Sequence, residues 1–257
     1  IFTDAIPHEE LPDYYGACQL YVTASISDTN SISAGRRSIS LKNKRFEDYG
    51  NTVQRLYCRD LPETSSACRN ITFQVTNGCN LRCSYCYEHH KGSEHMSVET
   101  GRKIVDYLLD QYERNDSDFI NWNTRAVVLD FIGGEPLLEA TLIEQICDYW
   151  FSECFRRDIP LAPFTRISFA TNGQLWFSSE AQHLIEKYHD LMSITISIDG
   201  VQDLHDMYRL DEHGNGSFVK AWTAFQDGKR RFGWANSKMT FVPGSFPYIS
   251  DSLKMML

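Results

Sequence analysis

No stretch of the chain reaches the ~18 consecutive apolar residues that a membrane-spanning helix requires. Its first residues, IFTDAIPHEELPDYYG, carry acids and prolines where a signal peptide has a basic start and an apolar run, so a cytoplasmic location is expected. Basic clusters are also missing: 25 Lys and Arg stand against 34 Asp and Glu, a net charge of −9. That balance excludes nucleic acid and an anionic membrane as the expected main partners. There is no internal repeat and no low-complexity tract. A second Cys-x2-Cys knuckle, which a structural zinc ribbon pairs with its first, is absent too. The chain starts on Ile1 rather than Met and stops at SLKMML in a helix-like stretch, so sequence is expected to be lacking at one or both ends.

What remains is ample for a core. With 257 residues and 42% hydrophobic content, the chain fits one large α/β domain, or a domain of roughly 150–200 residues with an added module. Residues 1–70 stand apart: a Ser/Thr-rich segment, YVTASISDTNSISAGRRSISL, precedes the polar KNKRFEDYGNTVQRLY, and together they read as a small N-terminal extension. From Ile71 the text becomes regular. Strand patterns at 71–76, 125–132, 165–173, 193–200 and 238–243 alternate with helical patterns at 97–114, 137–155, 179–190 and 216–232. In the first helix Val98, Ile104, Val105, Leu108, Leu109 and Tyr112 share a face behind a Ser97 N-cap. Such alternation predicts parallel strands with helical crossovers, and ligands at the carboxyl ends of the strands.

Eight cysteines suggest disulfides, but a chain this rich in core has no need of them. Cys147 and Cys154, seven apart, fit one buried helix face. Cys79, Cys83 and Cys86 are different: CNLRCSYCY crowds three thiols into eight residues, which points to a shared metal. A closed site takes four ligands. Either a distant residue such as His89, His90 or His95 completes a zinc site, or one coordination position stays open for something else.

The segments ITFQVTNGCNLRCSYCYE, LDFIGGEPLL, FATNGQL and ISIDGVQDLHDMYR, in this order and spacing, resemble the radical S-adenosylmethionine (SAM) enzymes. The resemblance spans roughly residues 71–250 and is to the branch with a SPASM-type C-terminal domain, which includes peptide maturases and anaerobic sulfatase maturases. It implies a partial (βα)6 TIM-like barrel whose sixth strand and C-terminal domain lie beyond Leu257. It also implies a 4Fe–4S cluster on Cys79, Cys83 and Cys86, with SAM chelating the fourth iron. Reductive cleavage of SAM then yields a 5′-deoxyadenosyl radical that abstracts hydrogen from the substrate.

On this resemblance the SAM site comprises Tyr85, Gly133, Gly134, Glu135, Pro136, Asn172, Ser197, Asp199 and Arg209. Each residue type suits its part. Gly133 and Gly134 permit close backbone approach, and Glu135 can accept from the cofactor ammonium, against the plainer reading of a cap for the helix that opens at Pro136. Arg209 can pair with the cofactor carboxylate, the alternative being a surface ion pair. Asn172, Ser197 and Asp199 suit ribose hydroxyls and the methionyl part, and the Tyr85 ring suits adenine. Tyr87 and the histidines after it read as structural, and HGNG at 213–216 as a turn. The implied partners are a peptide or protein substrate and an electron donor such as flavodoxin or ferredoxin, with no nucleic acid and no membrane. Ribosomal peptide maturation is the favoured function, with residues 1–70 as a peptide-docking element; sulfatase maturation is the near alternative, and a non-catalytic zinc module the distant one.

Overall fold

The computed structural model describes residues 68–88, 91–233 and 235–256. The N-terminal extension expected over residues 1–70, with its docking role, lies outside them apart from residues 68–70. Those three open the first strand, β1 (Cys68–Thr76). Then follow α1 (Val98–Arg114), β2 (Ala126–Gly133), α2 (Ala140–Arg156), β3 (Thr165–Thr171), α3 (Ser179–Lys187), β4 (Met192–Ser197), α4 (Gln202–Tyr208), α5 (Phe218–Phe232), β5 (Asn236–Lys238) and α6 (Ile249–Met256). All four strand pairings are parallel, in the order β1-β2-β3-β4-β5. This open sheet is the α/β arrangement expected of a partial barrel.

Alternation along the strands sorts the two faces. Phe73, Val75, Val127, Leu129, Phe131, Ile167, Phe169, Ile194 and Ile196 are buried in one core with Val105, Leu109, Ile143, Ile146 and Trp150 of α1 and α2. Burying side chains of this size stabilises the fold by about 1.5–3 kcal/mol each. On the opposite face the register aligns Thr72, Asp130, Ser168 and Ser193 in one polar row across four strands.

The helices form for the reasons the sequence gives. Ser97 caps α1 by accepting from the Thr100 N–H at 3.1 Å. Val105, Leu108, Leu109 and Tyr112 are buried along its inner face, with Val98 and Ile104 half-covered beside them. In α2, Cys147 and Cys154 are buried as expected, and burial pushes the Cys154 thiol up to about 12. Trp150 is fully buried, yet its indole N–H reaches the Thr165 hydroxyl at 3.0 Å, so no polar group is stranded.

Several boundaries differ from expectation: β3 stops at Thr171 rather than 173, β4 at Ser197 rather than 200, and α3 at Lys187 rather than 190. The fifth strand occupies Asn236–Lys238 rather than 238–243. Its partner β4 pairs only as far as Ser197 with Lys238, and the Thr240 N–H is instead taken by the Asp199 carboxylate at 3.0 Å. The second helix starts at Ala140 rather than Leu137, because a 3₁₀ turn, Pro136–Glu139, fills the gap. Among the described residues no helix is long and apolar enough to cross a membrane.

Candidate functional site: a three-cysteine loop at the strand ends

The cysteine loop leaves β1 at Asn77 and is tied down on three sides. Toward β2, the Gly134 N–H donates to Thr76 O at 3.1 Å and the Glu135 N–H to Gly78 O at 2.9 Å. Toward the segment after α4, the Arg82 N–H donates to Leu210 O at 2.7 Å and the Ser84 N–H to Tyr208 O at 2.9 Å. Toward the returning chain, the Asn77 N–H donates to Glu94 O at 2.9 Å, and the Met96 N–H to Val75 O at 2.8 Å. A loop fixed by its backbone leaves its side chains free for another task.

Gly133 and Gly134 act through this contact. A β-carbon on Gly134 would stand 2.4 Å from Gly78 O, and one on Gly133 2.6 Å from Thr76 O. The close approach these glycines permit is therefore to the backbone of β1 and the cysteine loop.

The three thiols are half-buried. The Cys79 sulfur accepts from the Leu81 N–H at 3.4 Å and lies 3.9 Å from the Asn172 amide nitrogen, while the Cys86 sulfur accepts from Lys91 Nζ at 3.4 Å. Burial raises the Cys83 thiol above its ordinary value; the Arg209 charge opposes this, and Cys79, Asp199 and Cys86 reinforce it. A cavity of about 710 Å³ opens beside Cys83 and Cys86, lined also by Arg82, Glu88, Lys91 and Glu94. Among the described residues, no three His, Cys, Asp or Glu side chains converge closely enough to share one metal ion. A single zinc draws its thiolates together through bonds of ~2.3 Å, whereas a four-iron cluster takes each thiolate on a different iron and fits a wider triangle. His95 makes a bridge with Thr76 in the returning chain; His89 and His90 lie outside the described residues.

The second group sits where β2, β3 and β4 end. Glu135 is 1% exposed, and its carboxylate accepts from Thr171 Oγ1 at 2.7 Å, Leu137 N at 3.1 Å and Asn172 N at 2.8 Å. It does cap the turn that opens at buried Pro136, and it also joins β2 to β3. Burial lifts its pKa, against the pull of those donors and of Arg209. Asn172 reaches back to the cysteine loop through Asn80 Oδ1 at 2.7 Å. The half-buried Ser197 ends β4, and its hydroxyl has no hydrogen-bond partner among the described residues.

Asp199, two residues beyond β4, is 1% exposed and accepts from the Tyr85 hydroxyl. Arg209 donates to that same hydroxyl at 2.6 Å and lies 3.8 Å from the Asp199 carboxylate. Tyr85 is thus held by its oxygen between a base and an acid, and burial keeps that hydroxyl protonated well above the usual phenol range. Arg209 is 9% exposed, so its ion pair is a buried one rather than the surface pair weighed above. Its Nε is buried without a hydrogen-bond partner. A buried guanidinium N–H left unmatched costs about 1–3 kcal/mol or more, and an acidic ligand at this point would relieve it. The donor set therefore fits both groups: soft thiols for iron, and an unmatched guanidinium N–H for a carboxylate.

His205 is the residue the sequence reading passed over. It lies in α4, four positions before Arg209, and the HDMYR segment held that spacing as a signal. The Ser217 hydroxyl gives its one proton to Arg209 O at 2.6 Å, so at 2.9 Å it must accept from His205 Nε2. Nδ1 is left to accept the Asp199 N–H at 3.3 Å. Only neutral imidazole satisfies both bonds, and burial, then the Arg209 charge, lower its pKa from 6.5 to about 4, with Asp206 pulling the other way. An unfolded histidine takes up its proton near 6.5 and this folded one does not, so stability should fall as pH drops from there toward 4. The expected loss by pH 5 is about 2 kcal/mol. Urea unfolding at about pH 7.5 and about pH 5 should show that acid-side loss in the wild type and not in His205→Gln; equal losses in the two proteins would sink the assignment.

The sequence profile of the Radical SAM superfamily matches residues 73–244. An uncharacterised protein of Methanocaldococcus jannaschii, MJ0907, is 31% identical over 153 residues, covering 58% of this chain and 44% of its own. The antilisterial bacteriocin subtilosin biosynthesis protein AlbA of Bacillus subtilis is 26% identical over 143 residues, covering 54% and 26%. The chain thus spans less than half the length of these relatives. Among solved structures, native anSMEcpe with bound AdoMet superposes with a TM-score of 0.59 at 22% identity over 73% of this chain and 47% of that one, a likeness of fold. From within β1 to beyond β5 the chain thus answers to one family, and it belongs to the Radical SAM superfamily, whose cofactors are a 4Fe–4S cluster and SAM.

Proposed function

We propose that the protein is a peptide-modifying radical SAM enzyme of the cytoplasm. Cys79, Cys83 and Cys86 would hold the cluster, and Arg209 the amino acid part of SAM. The observation that carries this reading is the pairing of a backbone-fixed loop of three half-buried thiols with a buried, unmatched Arg209 Nε. When bound, the two cofactors supply one-electron chemistry that ends in hydrogen abstraction.

The chain's own residues bind and orient. Arg209 holds the cofactor carboxylate, with Asp199 and Tyr85 keeping the guanidinium in place. Asn172 and Ser197 offer short polar contacts to the methionyl part and ribose, and the Tyr85 ring lies against adenine. Glu135, with Pro136 starting the turn behind it, keeps the ends of β2 and β3 together, its buried carboxylate spent on Thr171, Leu137 and Asn172. Gly133 and Gly134 let the cysteine loop settle onto them. A peptide side chain is the substrate, and flavodoxin or ferredoxin the electron donor. The likeness to AlbA, a bacteriocin biosynthesis protein, is in keeping with ribosomal peptide maturation.

Anaerobic reconstitution with iron and sulfide, followed by dithionite and SAM, tests the first half. Four irons per chain and release of 5′-deoxyadenosine are expected; a colourless protein holding one zinc overturns the reading. Incubation with a short Cys-containing peptide, a sulfatase-derived one beside it, tests the second half. A cross-link, seen as loss of two hydrogens without an aldehyde, is expected, whereas a hydrazide-reactive formylglycine places the protein with the sulfatase maturases.

A further inference from the structure

Lys91 has no assigned task. It lies five residues past the last cysteine, at the start of the segment that returns to β1. That segment is held by the backbone: Asn77 N–H to Glu94 O at 2.9 Å, Met96 N–H to Val75 O at 2.8 Å, and the bridge between Thr76 and His95. The carbonyl of Gly92 lies 3.6 Å from where a Gly78 β-carbon would stand, which sets the residue after Lys91 against the start of the cysteine loop.

Its Nζ donates to the Cys86 sulfur at 3.4 Å. The other cations of the region are committed to oxygen: Arg82 to the carbonyls of Cys79 and Leu81, and Arg209 to Tyr85. Glu88 and Glu94 line the same cavity, yet no carboxylate among the described residues comes within 4.0 Å of Lys91. A lysine paired with an acid would be a surface fastening; one whose partner is a thiol sulfur carries its charge into the electronic surroundings of that sulfur.

We infer that Lys91 raises the reduction potential of the cluster on Cys79, Cys83 and Cys86, through its N–H···S bond to Cys86 and its positive charge beside the three thiolates. The inference rests on the cluster reading above. Three thiolates already surround the metal with negative charge, and the reduced cluster carries one negative charge more than the oxidised one. A fixed cation therefore favours reduction, and hydrogen bonds to cluster sulfurs act in the same sense. In the step concerned the cluster accepts one electron from an external reductant, no bond forms or breaks, and Lys91 keeps its proton. Lys91 is argued to act through the Cys86 sulfur, so it is a positioning residue for charge rather than a catalytic one.

The test is an EPR-monitored redox titration of the reconstituted full chain, as wild type, Lys91→Met, Lys91→Gln and Lys91→Arg. At a fixed solution potential, Lys91→Met should lower the reduced-to-oxidised ratio about tenfold, a shift of about 59 mV to the negative for a one-electron couple. Lys91→Gln should fall between, and Lys91→Arg should stay within about threefold of wild type. Equal potentials in all four proteins, or a more positive one in Lys91→Met, overturn the inference while leaving the cluster intact. Failure of every Lys91 variant, Arg included, to take up iron that the wild type takes up also overturns it, in favour of a role in folding the loop. A wild type that binds no four-iron cluster overturns the cluster reading itself.

Discussion

A chain carrying Cys83→Ala should keep its fold and lose its chemistry. The Cys83 sulfur makes no hydrogen bond among the described residues and is half-exposed, so its removal should change stability by no more than about 1 kcal/mol. What it removes is one of three thiolates. With two left, the cluster has no stable seat, and 5′-deoxyadenosine formation should drop roughly 10³-fold or more. Far-UV circular dichroism and the denaturation midpoint, measured beside iron content, separate the two effects. Cys147→Ala is the matched control: that thiol is buried in α2 away from the loop, so its loss should lower stability and leave iron binding intact. A Cys83→Ala protein that still held four irons and cleaved SAM would remove the cysteine loop from the proposal.

Gly134→Ala should break the site from the other side. Its new β-carbon would stand 2.4 Å from Gly78 O, 2.8 Å from Gly78 C and 2.9 Å from Asn77 O. All three are backbone atoms of a loop already hydrogen-bonded to this segment, so neither side can yield without parting the Glu135 N–H from Gly78 O. A stability loss of about 1–3 kcal/mol is expected from the overpacking, together with at least a tenfold loss of SAM affinity, since the loop and the Glu135 turn no longer meet. Gly214→Ala calibrates the first effect. Gly214 has φ +80 with open space around it, so its alanine should cost about 1–2 kcal/mol through backbone strain alone and leave SAM binding unchanged. Equilibrium dialysis with labelled SAM and urea unfolding on the two variants check both numbers. Unaltered SAM binding in Gly134→Ala would mean that the contact between loop and turn does not shape the cofactor site.

Much of this was legible in the residues. The first strand, the α1 face behind Ser97 and the four loops at the strand ends all follow from local patterns, because each depends on neighbours three or four residues away or on alternation along one strand. The three cysteines were legible because their spacing is chemical rather than structural. What escaped depends on distant partners. The fifth strand was misplaced because KMTFVP alternates as a strand does, while its length is set by where β4 stops and by the hold of Asp199 on Thr240. The purpose of the two glycines was half-read: the need for a close approach shows in the sequence, but the identity of the neighbour, Gly78, does not. His205 shows only its spacing of four from Arg209 and Lys91 only its type, and folding alone sets one against Asp199 and the other against Cys86.

The fastening of the cysteine loop also sets an order in time. Two of its backbone bonds, Arg82 N–H to Leu210 O and Ser84 N–H to Tyr208 O, join parts of the chain more than a hundred residues apart. Contacts that close so long a span form late, after the strands and helices between them have packed. A ribosome must therefore have delivered β2, β3 and β4 before the three thiols acquire their native frame. Until then the chain offers iron only a flexible strip of cysteines, so metal loading belongs after α4 has been delivered and packed rather than when the cysteines first emerge.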